Sequence, residues 1–302
     1  MTLGKTGLTL FIVMLMACSS DDKNGGETPD AGASTMADAG DTNDETSALT
    51  EEDSETTDVA NDESELLGAT VDGAEKAKRG ALREGTPPTA EEVAMHAATK
   101  FLDKMENAEC VTTAIDGDTV TFTLTECTGK RGLRKLSGTL VVEYSVAEDG
   151  TITAHSTGTA LTMSNSAGKM ATLDVSATAT YKATDTGKTL SVTSSGMFKG
   201  PVGGAMDRSA TYTVSWDADC RTIDGTWTFT KTLPGPMMKV QTRSTKITGL
   251  KRCMTGCPTG KVELTRPNGL VITVTYDGTN MATTMTSKGG SGTKVLECTP
   301  AT

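Results

Sequence analysis

The chain has 302 residues, 36% of them hydrophobic and only 4% aromatic, with seven cysteines, two histidines and a formal charge of −11. Its length suggests one or two domains, and the net charge misleads, because the part from residue 69 onward is near +3, too weak and too evenly spread to argue for nucleic acid. The charge is unevenly placed, and two segments have to be set aside before a core is sought.

Lys5 is followed by an apolar run from Leu8 to Met16 and then by Ala17-Cys18-Ser19-Ser20. A basic start, a short apolar stretch and a small residue before the cut predict a secretory signal peptide over 1–17. The run is too short for a spanning helix, which takes about 20 residues. Leu15-Met16-Ala17-Cys18 resembles the lipobox of bacterial lipoproteins. The resemblance, confined to the extreme N-terminus, implies cleavage before Cys18, a diacylglycerol on its thiol and fatty acylation, such as palmitate, of the new amine. Each buried methylene contributes about 0.8 kcal/mol, so two or three chains anchor a protein without a membrane-spanning helix. Ser19 in place of Asp implies, by the same resemblance, sorting to the outer membrane, with the body periplasmic or surface-facing. An ordinary cleaved signal with an incidental cysteine is the plainer alternative.

Residues 19–68 hold sixteen Asp or Glu and a single Lys, Lys23. Large apolar residues are scarce there, and such a stretch cannot bury enough surface to offset its chain entropy. The expectation is an acidic disordered tether over 18–85 that solubilises and spaces the body from the membrane. Setting those sixteen aside leaves 23 acids, and without Lys5 and Lys23 there remain 26 bases, so the part from 69 onward is near +3.

The body, 86–302, opens with a helix predicted over 89–107. Thr89 is a good N-cap and Glu92 completes a capping box. Val93, Ala94, Ala97, Ala98, Phe101, Leu102 and Met105 then recur at helical spacing. After Cys110 the period changes to two. Val120, Phe122 and Leu124 alternate with threonines, and so do Leu140 to Val146, Leu173 to Tyr181, Ala210 to Trp216, Ile223 to Phe229 and Leu270 to Tyr276 with polar residues. That is the pattern of antiparallel strands with one buried and one wet face. Turn signals at Glu148-Asp149-Gly150, Asn165 to Gly168, Asp185-Thr186-Gly187, Asp277 to Asn280 and Lys288-Gly289-Gly290 separate the runs at hairpin spacing. The fold class predicted is mainly β: an antiparallel meander of about twelve strands with one N-terminal helix, closed as a barrel, stacked as a sandwich or left as a curved sheet. An outer-membrane barrel does not fit, because the aromatic girdles and continuous apolar band are missing.

Six cysteines follow Cys18, an even number in an exported domain, which reads as disulfides. Neighbours in sequence give Cys110–Cys127, Cys220–Cys253 and Cys257–Cys298 out of 15 connectivities. The first closes a loop worth about 3 kcal/mol in the chain-entropy model, and the last marks a possible C-terminal subunit over 253–302. A zinc site at Cys253 and Cys257 lacks the second close pair or histidine that a ribbon requires.

The body resembles a loose set of bacterial surface lipoproteins with an acidic leader, Thr-rich strands and a C-terminal stretch like Cys257-Pro258-Thr259-Gly260-Lys261-Val262, Tyr276-Asp277-Gly278 and Leu296-Glu297-Cys298. That set is mostly without assigned activity, so the resemblance implies no chemistry.

The search for chemistry finds no nucleophile elbow, zincin motif, P-loop or dinucleotide fingerprint. His96 and His155 stand without a surrounding motif, and Asp116-Gly117-Asp118 and Asp217-Ala218-Asp219 read as turns rather than as glycosidase or calcium sites. Tyr212, Trp216 and Trp227 alternate onto the core face. Bases gather at Lys130, Arg131, Arg134 and Lys135 and at Lys239, Arg243, Lys246, Lys251 and Arg252, where a solvated face competes with contact to lipid headgroups or anionic polysaccharide. No catalytic, cofactor or metal residue is predicted. The expected function is a non-enzymatic interaction or structural role of a lipid-anchored envelope protein, with a protein, polysaccharide or lipid partner. The second expectation is a carrier of an apolar ligand, because the inward positions Ala154, Gly158, Ala177 and Ala179 are small and would leave a cavity. An exported hydrolase is the third.

Overall fold

The computed structural model describes residues 59–60, 62–64, 66–71, 87–128, 135–164, 169–184, 187–200, 204–216, 220–233, 239–253, 256–296 and 298. Cys18, the signal peptide and the tether up to residue 58 lie outside the described residues.

Thirteen strands form one antiparallel sheet in strict sequence order, β1-β2-β3 and so on to β13, with each strand bonded to the next. The strands are β1 (Val111–Asp116), β2 (Thr119–Cys127), β3 (Lys135–Val146), β4 (Ile152–Ser164), β5 (Met170–Thr184), β6 (Gly187–Gly200), β7 (Gly204–Trp216), β8 (Cys220–Leu233), β9 (Lys239–Cys253), β10 (Thr259–Thr265), β11 (Val271–Asp277), β12 (Met281–Thr286) and β13 (Ser291–Val295). The meander is therefore as the alternation predicts, with one strand more. The sheet is open rather than closed: β1 and β13 are its two edges.

The turns form where Asp and Gly supply them. Asp149 accepts from Thr151 N–H at 2.9 Å, and Asp277 accepts from Thr279 N–H at 3.0 Å. Gly289 adopts φ 92° in the β12–β13 turn, where its N–H donates to Thr286 O at 3.0 Å. The turn signals at 165–168 and 185–186 lie outside the described residues.

Irregularities interrupt the ladders, and two of them use the same device. Ala160, at φ 51°, donates its N–H to Asp174 on β5 at 2.7 Å, where the β4–β5 register shifts. Gly249, at φ 56°, donates to Asp224 on β8 at 2.7 Å, where the β8–β9 register shifts. In each case a carboxylate on the neighbouring strand takes the N–H that the ladder leaves over. Bulges of this kind bend a sheet and raise its twist.

Two helices cover one face, the inner face. α2 (Ala90–Leu102) has the predicted start: Glu92 N–H donates to Thr89 Oγ1 at 3.2 Å and Thr89 N–H donates to Glu92 Oε2 at 2.8 Å. It ends five residues before the predicted 107. Asp103 caps it, and its carboxylate takes up Lys100 at 2.6 Å. A separate 3₁₀ turn, Ala108–Cys110, then delivers Cys110 to Cys127. Val93, Ala94, Ala97, Ala98 and Phe101 are buried, and Phe101 meets Phe122 of β2 at 4.2 Å between ring centroids.

α1 was not anticipated. The described residues within 59–71 are helical, and nearly all are buried, including Val59, Leu66, Leu67 and Val71. The expectation of a disordered tether reaching 85 is therefore corrected over this span. The acidic composition hides an apolar spacing, because Val59, Ala60, Glu63, Leu66, Leu67, Thr70 and Val71 recur at helical intervals.

The described residues form two apolar clusters. The larger joins α1, α2 and the inner faces of β1 to β8, and the smaller comprises Leu250, Val262, Leu264, Leu270, Ile272, Val274, Ala282 and Leu296. Ile247 of β9 packs against both. The C-terminal hairpins thus have their own small core while continuing the same sheet.

Candidate functional site

The inner face can be read across the strands by register. Val142, Ser156, Ala177, Ser194, Ala210, Trp227 and Thr245 form one row from β3 to β9. On one side of this row lie Tyr144, Ala154 and Ala179, and on the other Leu140, Gly158 and Val175. The middle of the sheet, at β4 to β7, is thus a trough of small side chains between larger ones.

Two contacts fix where α1 crosses this trough. Glu63 pairs with Arg208 of β7, and Nη1 of the same arginine donates to Ser194 Oγ of β6 at 3.1 Å. Seven residues further along α1, the Thr70 carbonyl accepts from the Tyr144 hydroxyl of β3 at 2.7 Å. A helix rises about 10 Å over that interval, against about 19 Å for the four strand spacings from β7 to β3, so the long side chains of Arg208 and Tyr144 reach inward to meet it. The helix between the two anchors therefore passes over β4 and β5, where Ala154, Gly158, Ala177 and Ala179 point inward. Ala154 and Ala179 are fully buried and the space beside Gly158 is filled by Leu161 and Leu140 of the sheet itself, so the room that the sequence assigns to a ligand is taken up by the chain.

The Arg208 ion pair is buried on both sides. An isolated charge in such a place costs several kcal/mol, so the pairing is obligatory rather than decorative. Several buried polar atoms, two of them in this pair, have no hydrogen-bond partner among the described residues: Glu63 Oε1, Arg208 Nε, Ser156 Oγ and Trp227 Nε1. Native interiors leave few such groups. Tyr212 stacks on the Trp227 ring at 4.9 Å, which places both on the core face as the alternation predicts; Trp216 is half-buried against the same cluster. Burial raises the Tyr144 phenol far above its ordinary value.

Arg208 escaped the sequence reading, although a signal existed. Met206, Arg208, Ala210 and Tyr212 share one strand parity, so the alternation that buries Tyr212 also buries an arginine. A buried arginine demands a buried carboxylate.

The outer face is different in kind. His155, Thr178, Thr193, Thr211 and Thr226 form one row across β4 to β8, and Ser176, Ser195, Ser209, Thr228 and Ser244 form the next. His155 is exposed, its Nδ1 lies 3.0 Å from Thr178 Oγ1, and Glu143 is its register partner on β3. An acid, a base and a hydroxyl thus stand side by side, but on a sheet surface whose backbone N–H groups are engaged in the strand ladders and offer no oxyanion donors. His96 sits half-buried on α2, far in sequence from this row.

The six cysteines are joined as Cys110–Cys127, Cys220–Cys253 and Cys257–Cys298. Cys253 and Cys257 thus belong to different bridges. Among the described residues no group of His, Cys, Asp or Glu is arranged to hold a metal ion, and no helix is long and apolar enough to cross a membrane. Of the predicted basic groups, Lys130, Arg131 and Arg134 lie outside the described residues. Lys135 reaches Glu126 at 3.6 Å, and Lys246 of β9 stands opposite Glu263 of β10. The chain matches no described protein family, no curated protein and no solved structure.

Proposed function

We propose that this chain is a lipid-anchored envelope protein that works by interaction rather than by catalysis, held to the bacterial outer membrane through acylated Cys18. The lipobox-like Leu15-Met16-Ala17-Cys18 supports the anchor, and the disulfides accord with an oxidising compartment outside the cytoplasm. The observation that carries the interaction role is the contrast between the two faces of the sheet. The inner face is occupied by α1 and α2, whereas the outer face presents rows of threonine and serine hydroxyls over five strands. Such a face is open to an envelope protein or polysaccharide.

Two measurements test this. Cys18→Ser abolishes labelling of the protein by palmitate; undiminished labelling sinks the anchor. The Cys18→Ser chain sediments with isolated cell envelopes, and replacing Thr178, Thr193 and Thr211 by alanine weakens that association at least several-fold. Unchanged sedimentation sinks the role of the outer face.

A second reading, a carrier of an apolar ligand, is favoured by one observation: the inner face contains buried donors, Ser156 Oγ, Arg208 Nε and Trp227 Nε1, that have no hydrogen-bond partner among the described residues. Native mass spectrometry of the Cys18→Ser chain separates the readings. A bare mass favours a filled body that acts through its surface, and a lipid-sized adduct lost on denaturation favours the carrier.

A further inference from the structure

We propose that the trough holding Arg208 is a binding site for a long-chain carboxylate, and that Glu63 of α1 is its built-in stand-in. This inference rests on the carrier reading and names its ligand.

The head-group position is defined by Arg208. Its guanidinium is buried, it engages a carboxylate, and it is backed by Ser194 Oγ at 3.1 Å and by the Ser195 carbonyl at 3.5 Å. Arginine binds a carboxylate through a fork of parallel donors. Here that fork is incompletely used: Arg208 Nε has no partner among the described residues, and neither has the second oxygen of Glu63. A carboxylate that arrives free of a helix backbone can turn to meet both nitrogens.

The tail position is defined by the trough. From Ser194 the row runs over Ala177 and Ser156 to Val142, with Val175 and Leu140 beside it. Its width over these strands is about 14 Å, which suits most of a sixteen- to eighteen-carbon chain in extended or gently bent form. Side chains this small would leave a groove if α1 withdrew.

The occupant is poorly suited to its place. α1 carries Asp62, Glu63, Ser64 and Gly68 within one short helix. Helices of this length are marginal on their own, and glycine weakens them further. Its hold depends on the trough, and a ligand that binds the open form shifts the population toward that form. Glu63 therefore competes with the ligand, and the observed affinity is the intrinsic affinity reduced by the fraction of chains in which α1 is withdrawn.

The test uses the full chain carrying Cys18→Ser, with oleate as the probe and methyl oleate as its uncharged counterpart. Binding is followed by calorimetry, and α1 by hydrogen exchange of the peptide covering 59–71. Oleate binds with one-to-one stoichiometry and removes the protection of 59–71, while methyl oleate binds at least about tenfold more weakly. Glu63→Gln weakens the competitor and tightens oleate about tenfold. Because an unpaired buried residue in Arg208→Met alone would endanger folding, the double change Glu63→Gln with Arg208→Met is the control: it keeps the fold by circular dichroism and loses preference for oleate over its ester. Unchanged protection of 59–71 at saturating oleate overturns the proposal. If the ester binds as well as the acid, and the double variant binds both, the carboxylate site falls while the apolar carrier stands. If neither binds, both fall.

Discussion

Arg208 reaches across 145 residues of sequence to Glu63, and that one ion pair ties a helix from an acidic, tether-like stretch into the middle of a thirteen-stranded sheet. Breaking a buried pair by removing one partner leaves an uncompensated charge and costs about 3–5 kcal/mol, whereas replacing both partners by apolar groups is often neutral. Glu63→Ala is therefore expected to lower stability in urea by an amount in that range. The double change Glu63→Leu with Arg208→Met is expected to recover most of the loss. If Glu63→Ala shifts the midpoint by no more than a surface substitution does, the pair is not buried in solution.

Tyr144 anchors the other end of α1. Tyr144→Phe removes the hydroxyl and strands the buried Thr70 carbonyl, which costs about 1–3 kcal/mol. The loss should appear first in the hydrogen-exchange protection of 59–71, because that helix, rather than the sheet, loses its bond.

The same phenol gives a pH dependence. Burial raises its pKa well above the ordinary value of 10.0, and burial likewise raises Tyr276, partly offset by Arg252. In the folded state these two groups keep their protons when the unfolded chain would lose them. Their contribution to stability is complete below pH about 10 and is lost as pH rises beyond it. An alkaline titration followed by tyrosinate absorbance should therefore show Tyr144 and Tyr276 ionising late or only with unfolding. Ordinary titration of both would contradict their burial.

The meander, the capping box of α2, the hairpin turns and the inward aromatics were all legible, because each is a local pattern: period two, an S/T-x-x-E start, Asp and Gly between runs. What was not legible is the link between distant parts. Glu63 looked like one of sixteen acids in a solvated run, and only its partner on β7 makes it a core residue. Arg208 looked like one more charge in an alternating strand until its parity was weighed. The small inward residues were read as leaving a cavity, but alternation along strands cannot say which segment packs against them. The bulges at Ala160 and Gly249 were equally silent, since their Asp174 and Asp224 partners lie on neighbouring strands.

Gly225 on β8 lies opposite Tyr212 on β7. A side chain there would run into Tyr212 Cβ and its backbone, so the aromatic ring lies over the glycine and continues onto Trp227. Gly225→Ala is expected to force the two strands apart and to cost about 1–3 kcal/mol, as overpacking of a filled core does. Trp227 fluorescence should respond in the same variant. A neutral effect on both would mean that β7 and β8 tolerate a wider spacing than the register implies.

The disulfides close loops of different length, with sequence separations of 17, 33 and 41. The chain-entropy model makes the longest the most stabilising, though only slightly, at about 3–4 kcal/mol each. Their structural consequences differ more. Cys220–Cys253 joins paired strands that the ladder already holds. Cys257–Cys298 instead ties the C-terminus back across β10 to β13, whose apolar cluster is small. Cys257→Ser with Cys298→Ser is therefore expected to release hydrogen-exchange protection in β12 and β13 while β4 to β7 stay protected. Cys220→Ser with Cys253→Ser should lower global stability with no such local release. Equal, global loss in both variants would show that the C-terminal hairpins unfold only with the rest of the sheet.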